Sequence, residues 1–384
     1  MAPLYCLDQC DWRFVILAPA KQLMDRVRSF SEFAFEAAAR TDETQRVGPE
    51  VWQAFHASGL GMAAFSEAQG GAGLSEPERQ GDLCVILRML GAADLSVARL
   101  FEGHTNAVSL VLRYGSPAQI EKLAHDVKMG DLTGVWGAED ATGLKRHQDA
   151  AGWRLEGRKI LASGAGFVQR PIVTCATDDG PVMLLLDLSG TENVDETSWT
   201  ALGMRASATR SIDFTGLVVR AGQQVGRAGD YMQQPFFSGG AWRFCAVHLG
   251  AIERLTELFR DDLVSRDRGG DPYQRERLAQ CAVATGTALL WIEEAALRFA
   301  NDLLTPAHVV AYVNLTRMVT ERAGLDVMEL VQRGMGLKGF IRPHPVERIC
   351  RDLSTYLRQP APDLAMSDAA GALMEETLPL GPFA

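Results

Sequence analysis

Residues 332–363 read QRGMGLKGFIRPHPVERICRDLSTYLRQPAPD. Glycines stand at 334, 336 and 339, the charged turn HPVERICRD follows, and prolines stand at 360 and 362. Clustered glycines let a backbone approach a ligand or another chain closely. Glu347 and Arg351 are four apart, the spacing of an ion pair on one helix face. Pro360 and Pro362 stop that helix, because proline lacks the N–H that the helix ladder needs.

Upstream of this stretch the pattern is helical. Phe244, Val247, Ala251, Leu255, Leu258 and Phe259 form one stripe. Leu278, Cys281, Ala282, Thr285, Leu289, Ile292, Ala296 and Phe299 form a second, and Met318, Ala323, Val327, Met328 and Val331 a third. Steps of three and four residues are those of amphipathic helices. Long helices in series with short links predict an antiparallel bundle over residues 236–384.

From Gly130 to Pro235 the texture differs. Trp153–Ile160, Pro171–Ala176, Val182–Asp187 and Ser211–Val219 are short, rich in Val, Ile and Leu, and bounded by Gly, Asp or Pro. They predict strands with no helices between them, hence a mostly antiparallel β domain over residues 131–235. Before it, Leu23, Val27, Phe30, Phe33 and Ala34 open a helical region over residues 21–130. Pro49 reads as a helix start, Gly70, Gly71 and Gly73 as a loop, and Arg79–Leu90 and Leu95–Tyr114 as further helices. Residues 1–20 read as an extension. The fold class is therefore α+β and multidomain: helical domain, antiparallel β domain, four-helix bundle.

Composition narrows the function. The chain has 384 residues, 47% hydrophobic and 22% charged, with a formal net charge of -10. That balance disfavours nucleic acid or an anionic membrane as partner, since both need clustered Lys and Arg. The seven cysteines, at 6, 10, 84, 175, 245, 281 and 350, contain no C-x-x-C, so reduced thiols in a cytoplasmic protein are expected and no metal site. No secretory signal and no run of 18 apolar residues is seen.

Several strings, in order, resemble the acyl-CoA dehydrogenase superfamily of flavoproteins from about Ala20 to Asp363. FSEAQGGAGLS is similar to the family's PEEYGGLGLS loop, and GVWGAED stands where its TEP flavin loop opens the β domain. GWRLEGRKILASGAGF resembles GYVLNGRKxWITNA, TALGMRASATRSIDFTGLVV resembles LGMRGSDTxxVxFxxVxV, QVGRAGDYM resembles LGxxGxGF, and PVERICRD matches PxERLxRD. The resemblance implies FAD, held between the β domain and the bundle and completed by a second subunit, in a homodimer or homotetramer. It places Trp136, Ala138 and Glu139 on the flavin loop, and Leu161 and Ser163 beside the ring. Gln332 or Arg333, with Gly336, falls on the glycine turn facing the adenosine diphosphate across the dimer. Arg266 or Arg268 is the arginine implied to reach the neighbour's FAD. Arg243 opens the first bundle helix near the substrate, and Glu102 and His104 lie on a helix lining the acyl pocket.

The chain departs from the family at its base. Removing a proton α to a thioester needs a carboxylate within reach of that carbon. The usual Tyr-Glu-Gly aligns with Gln359, Pro360 and Ala361, and the alternative position holds Trp242. Three readings stay open. An acyl thioester, such as an acyl-CoA, is oxidised with a displaced base, Glu102 being one candidate, and electrons pass to an electron-transfer partner. Or a reduced flavin, supplied by a flavin reductase, is used with O2, with His104 serving the oxygen chemistry as a group that titrates near neutral pH. Or the chain is a catalytically silent flavin-binding subunit. Against these stand the structural readings: His104 as a hydrogen-bonded helix residue, Glu102 as a buried paired carboxylate, and Arg243 awaiting an acidic partner. The dehydrogenase reading leads on string similarity.

Overall fold

The computed structural model describes residues 18–150, 152–188 and 193–375. Cys6, Cys10 and most of the expected N-terminal extension lie outside these residues. Helices α1 (Ala18–Thr44), α2 (Pro49–Ala57), α3 (Gln80–Ala93), α4 (Leu95–Tyr114) and α5 (Pro117–Lys128) come first. Each has a physical start. Pro49 and Pro117 sit in first turns, where a missing N–H costs nothing. The Asp94 carboxylate caps α4 by accepting from the Ser96 and Val97 amides. Of the α1 stripe, Phe33 turns outward at 38% exposure while Leu23, Val27, Phe30 and Ala34 are buried.

Among the described residues nine strands follow, over residues 133–225. One sheet has the order β1 (Thr133–Trp136), β4 (Arg170–Cys175), β5 (Val182–Leu185), β9 (Gln224–Val225). The other runs β2 (Leu144–Asp149), β3 (Gly152–Ala162), β7 (Arg210–Asp213), β6 (Asn193–Asp195), with β8 (Val218–Val219) also pairing β3. Pairing is antiparallel except between β1 and β4, which run parallel. The sequence reading had no strand at β1 or β2, and took residues 211–219 as one strand. A turn breaks that strand: Leu217 N donates to Phe214 O at 3.0 Å.

The chain then returns to helices: α6 (Trp242–Ser265), α7 (Pro272–Phe299), α8 (Pro306–Met335), α9 (Pro345–Tyr356) and α10 (Pro362–Met374). Helices α3 and α6 pack backbone to backbone. A β-carbon on Gly91 would lie 2.0 Å from the Val247 carbonyl oxygen, and one on Gly250 2.0 Å from that of Arg88. Only glycine permits this approach. The α6 and α8 stripes face inward as expected. On α7 the outcome is mixed: Cys281, Ile292 and Ala296 are buried and Ala282 is exposed. Among the described residues no helix is long and apolar enough to cross a membrane, and no group of three or more His, Cys, Asp or Glu could hold a metal ion.

Candidate active site

Helix α9 fixes the geometry around the site. Its Arg351 forks onto the Asp42 carboxylate of α1 at 3.0 and 2.7 Å, and pairs with Glu347 at 2.9 Å. The same guanidinium donates to the Leu202 carbonyl at 3.3 Å. Asp352 accepts from the Met204 amide at 2.7 Å, and Thr355 Oγ1 from the Gly203 amide at 3.0 Å. The motif PVERICRD thus ties the first helix, the Leu202–Met204 loop and the bundle together. A β-carbon on Gly203 would lie 2.1 Å from the Arg351 carbonyl oxygen, so the loop docks only as glycine. Burial pushes the Asp352 carboxyl up to about 7.

A shelf on the β sheets carries the residues that the resemblance assigns to the flavin loop. Lys159, with no exposed surface, bonds Glu139, the Thr174 hydroxyl at 2.9 Å and the Gly137 carbonyl at 3.3 Å. Burial lowers its proton affinity, opposed by Glu139. The Ile160 amide donates to the Ala138 carbonyl at 3.0 Å. The loop is therefore pinned from beneath, and the Glu139 carboxylate is occupied by Lys159. Trp136 points inward at 2% exposure, its indole N–H donating to the Ser163 carbonyl at 2.9 Å. Leu161 turns outward, 55% exposed at a φ of 55°, where β3 shifts register. Ser163 shares its hydroxyl with Thr209 at 3.0 Å, which leaves it further hydrogen-bonding capacity.

A second region lies after α8. Gly336 ends the helix at a φ of 66°, with nothing within 4 Å of where a β-carbon would sit. Its amide donates to the Gln332 carbonyl. Arg333 turns away to Glu329 at 2.8 Å. Asp262, on α6, receives Lys338 at 2.8 Å and Arg266 at 3.3 Å. His344 feels both cations, and burial first, then Lys338, lowers its proton affinity. Arg268 pairs with Asp271 at 3.3 Å. Lys338, absent from the sequence reading, joins Arg266 on the single Asp262 carboxylate, so two cations share one anion at this turn. Two half-exposed cations beside a bare glycine turn suit a pyrophosphate, and the shelf offers an open face for a ring system. The residues present fit a phosphate-bearing flavin.

The predicted catalytic residues are less available than expected. Glu102, buried, is held by Arg99 at 2.6 Å and lies 3.6 Å from Arg243. Arg243 also donates to Asn106 Oδ1 at 2.8 Å. The acidic partner that Arg243 required is Glu102, and a carboxylate held by two guanidinium groups is no free base. His104 is bound up within the fold. It has no exposed surface; its Nε2 bonds the Gly61 carbonyl at 2.8 Å, and the Thr133 amide donates to its Nδ1 at 3.2 Å. Both nitrogens are consumed, and burial lowers its proton affinity to about 4. It joins α4 to β1 and the Gly61 turn. Its spacing put it on a helix, α4, and its ring is turned to Gly61 and Thr133.

A small cleft lies beside Gln359, one of the residues that the resemblance aligns with the base. Phe244, His248, Arg317, Met318, Glu321, Leu357, Gln359 and Pro362 line it. His248 is 2% exposed and meets Tyr356 edge-on, centroids 4.5 Å apart. Glu321 pairs with Arg358 at 2.7 Å. The sequence offered one signal for this group: a histidine and an arginine on apolar helix stripes.

The model of the acyl-CoA dehydrogenase N-terminal domain matches residues 19–131, and that of the C-terminal domain residues 228–357. L-evernosamine nitrososynthase from a Micromonospora species is 28% identical over 352 residues, spanning 82% of this chain and 80% of that protein. Mitochondrial isobutyryl-CoA dehydrogenase of Dictyostelium discoideum is 24% identical over 338 residues, spanning 83% and 80%. The solved dibenzothiophene monooxygenase of Paenibacillus sp. A11-2 shares the fold with a TM-score of 0.81 at 20% identity, over 94% of this chain and 99% of that one. The two family models together span more than half of the sequence, and the chain belongs to the acyl-CoA dehydrogenase family.

Proposed function

We propose that this protein is a flavin-dependent oxidoreductase that acts as a monooxygenase. One observation carries the reading: neither aligned base position holds a carboxylate, and Glu102 is taken up by two arginines. Position 242 is tryptophan, position 360 is proline, and Glu102 lies between Arg99 and Arg243. Abstraction of an α-proton needs such a carboxylate, whereas oxygen transfer to a nucleophilic substrate does not. The names of two relatives point the same way, a nitrososynthase and a dibenzothiophene monooxygenase.

The flavin would rest on Ala138, Leu161 and Ser163, with Trp136 and Glu139 supporting the loop from within. Gln332, Gly336, Arg266 and Lys338 would face the dinucleotide phosphates of a second protomer, which favours FAD over FMN; the Paenibacillus enzyme has been solved with FMN. Bound and reduced, the flavin supplies the electrons that activate O2. The chain's own residues exclude water and hold the substrate. The Arg99–Glu102–Arg243 set forms a rigid floor, and the Trp242 ring, fully buried, closes one side. A flavin reductase would be the partner, the protein working as a homodimer or homotetramer.

Glu321 favours a second reading. Among the described residues it is the one carboxylate lining the cleft, and released from Arg358 it would serve as a displaced base for an acyl-CoA. Two measurements separate the readings. Substrate-dependent O2 uptake with reduced flavin, and no anaerobic bleaching by any acyl-CoA, is expected. Bleaching by an acyl-CoA that Glu321→Gln abolishes would replace the monooxygenase with a dehydrogenase. Protein that binds no flavin would sink both.

A further inference from the structure

Charge taken out of water is normally balanced, because desolvating an unpaired ion is costly. The group between the middle of α4 and the start of α6 is not balanced. Arg99 and Arg243 share the Glu102 carboxylate, at 2.6 and 3.6 Å, and among the described residues neither pairs with another acid. Asn106 gives Arg243 a neutral oxygen at 2.8 Å. His248, within reach of the Arg99 charge, adds none of its own, since burial first and then that arginine lower its proton affinity to about 3. Two cations against one anion leave one positive charge. It opens at one place: the Arg243 side chain is 7% exposed, the Arg99 side chain 29%. Arg99 spends one N–H on Glu102, and a guanidinium has several. A second donor is Tyr231, on the turn Asp230–Met232. It is half-buried, and burial first raises its proton affinity, with Arg99 and Glu102 the charges that act on it, so the phenol keeps its O–H. Among the described residues that hydroxyl makes no hydrogen bond, and it is not sealed from solvent. Its oxygen lies 3.2 Å from where a β-carbon on Gly137 would sit, against the loop that carries Trp136, Ala138 and Glu139.

An apolar group placed here would cover a guanidinium and a phenol O–H without pairing either. An anionic oxygen pairs both, and hydrogen bonds to an ion are about twice as strong as neutral ones. We infer that Arg99 and Tyr231 form an anion-recognition site beside the proposed flavin loop, where the guanidinium and the phenol O–H donate to one carboxylate of the substrate. The substrate class is a small organic acid, and the two residues set that specificity. Glu102 does not cancel the site, because its carboxylate is buried at 8% exposure and is shared by both arginines. The inference names a substrate class for the monooxygenase reading and rests on it only for a reacting flavin at Gly137.

Binding tests this apart from turnover. The flavin-loaded protein is titrated by calorimetry with acetate, isobutyrate and benzoate, and with acetamide, isobutyramide and benzamide, which have the same shapes without the charge. In at least one pair the acid should bind tighter by about ten-fold or more. Arg99→Gln should erase that preference, and Arg99→Lys, which keeps the charge, should recover part of it. Tyr231→Phe removes only an unpaired hydroxyl; it should leave Tm and flavin content unchanged and weaken the acid by about three-fold or more. No preference in any pair, binding of none of the compounds, or a preference that survives Arg99→Gln would overturn the proposal. If Arg99→Gln does not fold, the wild-type pairs and Tyr231→Phe decide, and an acid affinity unchanged in Tyr231→Phe overturns it. Absent O2 uptake with the preference intact would refute the monooxygenase and leave the anion site standing; O2 uptake without the preference would do the reverse.

Discussion

At the scale of single residues, the strongest constraint is the Arg351–Asp42 pair. Both side chains are buried, at 6% and 11% exposure, and their bond is bidentate. Asp42→Ala leaves a buried guanidinium with one partner fewer. Loss of about 3–5 kcal/mol is expected, read as a lower urea midpoint; an unchanged midpoint would show that Glu347 alone suffices. Gly203→Ala drives a methyl into the α9 backbone and should cost about 1–3 kcal/mol by overpacking. His104 gives a pH prediction. Its proton affinity falls from the ordinary 6.5 to about 4, by burial first and by His56 among its neighbours. Between those values the unfolded chain binds the proton and the folded one does not. Stability is therefore full above 6.5 and declines as pH falls toward 4, by up to about 1.4 kcal/mol per pH unit. His104→Gln should show a shallower decline in denaturant titrations at stepped pH, and an identical decline would remove His104 as its source.

At the scale of elements, α7 makes a prediction of its own. Val283, Leu290 and Leu297 are exposed at 70%, 51% and 41% and repeat every seventh position. A seven-residue apolar repeat packs against another helix. Leu290→Glu is expected to lower the mass measured by light scattering from that of the wild-type oligomer. A wild-type monomer, or a variant of unchanged mass, would refute this face as the contact. The elements also show what periodicity can read. Residues 95–114 were legible as a helix because their apolar spacing and the Asp94 cap agree. Strand β2, LKRHQD, was not, because an edge strand of charged residues carries no alternating pattern. The parallel β1–β4 pairing was invisible too, since it joins residues 133–136 to 170–173 across an antiparallel hairpin.

At the scale of the whole molecule, the electropositive turn and the shelf belong to one function only if chains associate. Arg266→Ala combined with Lys338→Ala should weaken FAD by about ten-fold or more while FMN changes little, since FMN lacks the second phosphate. Equal loss for both, read by flavin fluorescence quenching, would place the patch outside the dinucleotide site. By itself the sequence determined the family, the order of helical and β regions, and the missing base, because each is written in local strings: PVERICRD, LGMRASATRSIDF, and Gln359–Pro360. The tertiary structure alone decided how the polar residues are used. Arg351 finds Asp42 from 309 positions away, Glu102 is taken up by Arg243, and His104 turns inward while His248 keeps an unpaired nitrogen at a cleft. The opening stretch ended in a lost carboxylate; folded, it ends in a polar cleft. Sequence spacing gives the helix on which a side chain sits, but its partner is set by the angle at which that helix packs.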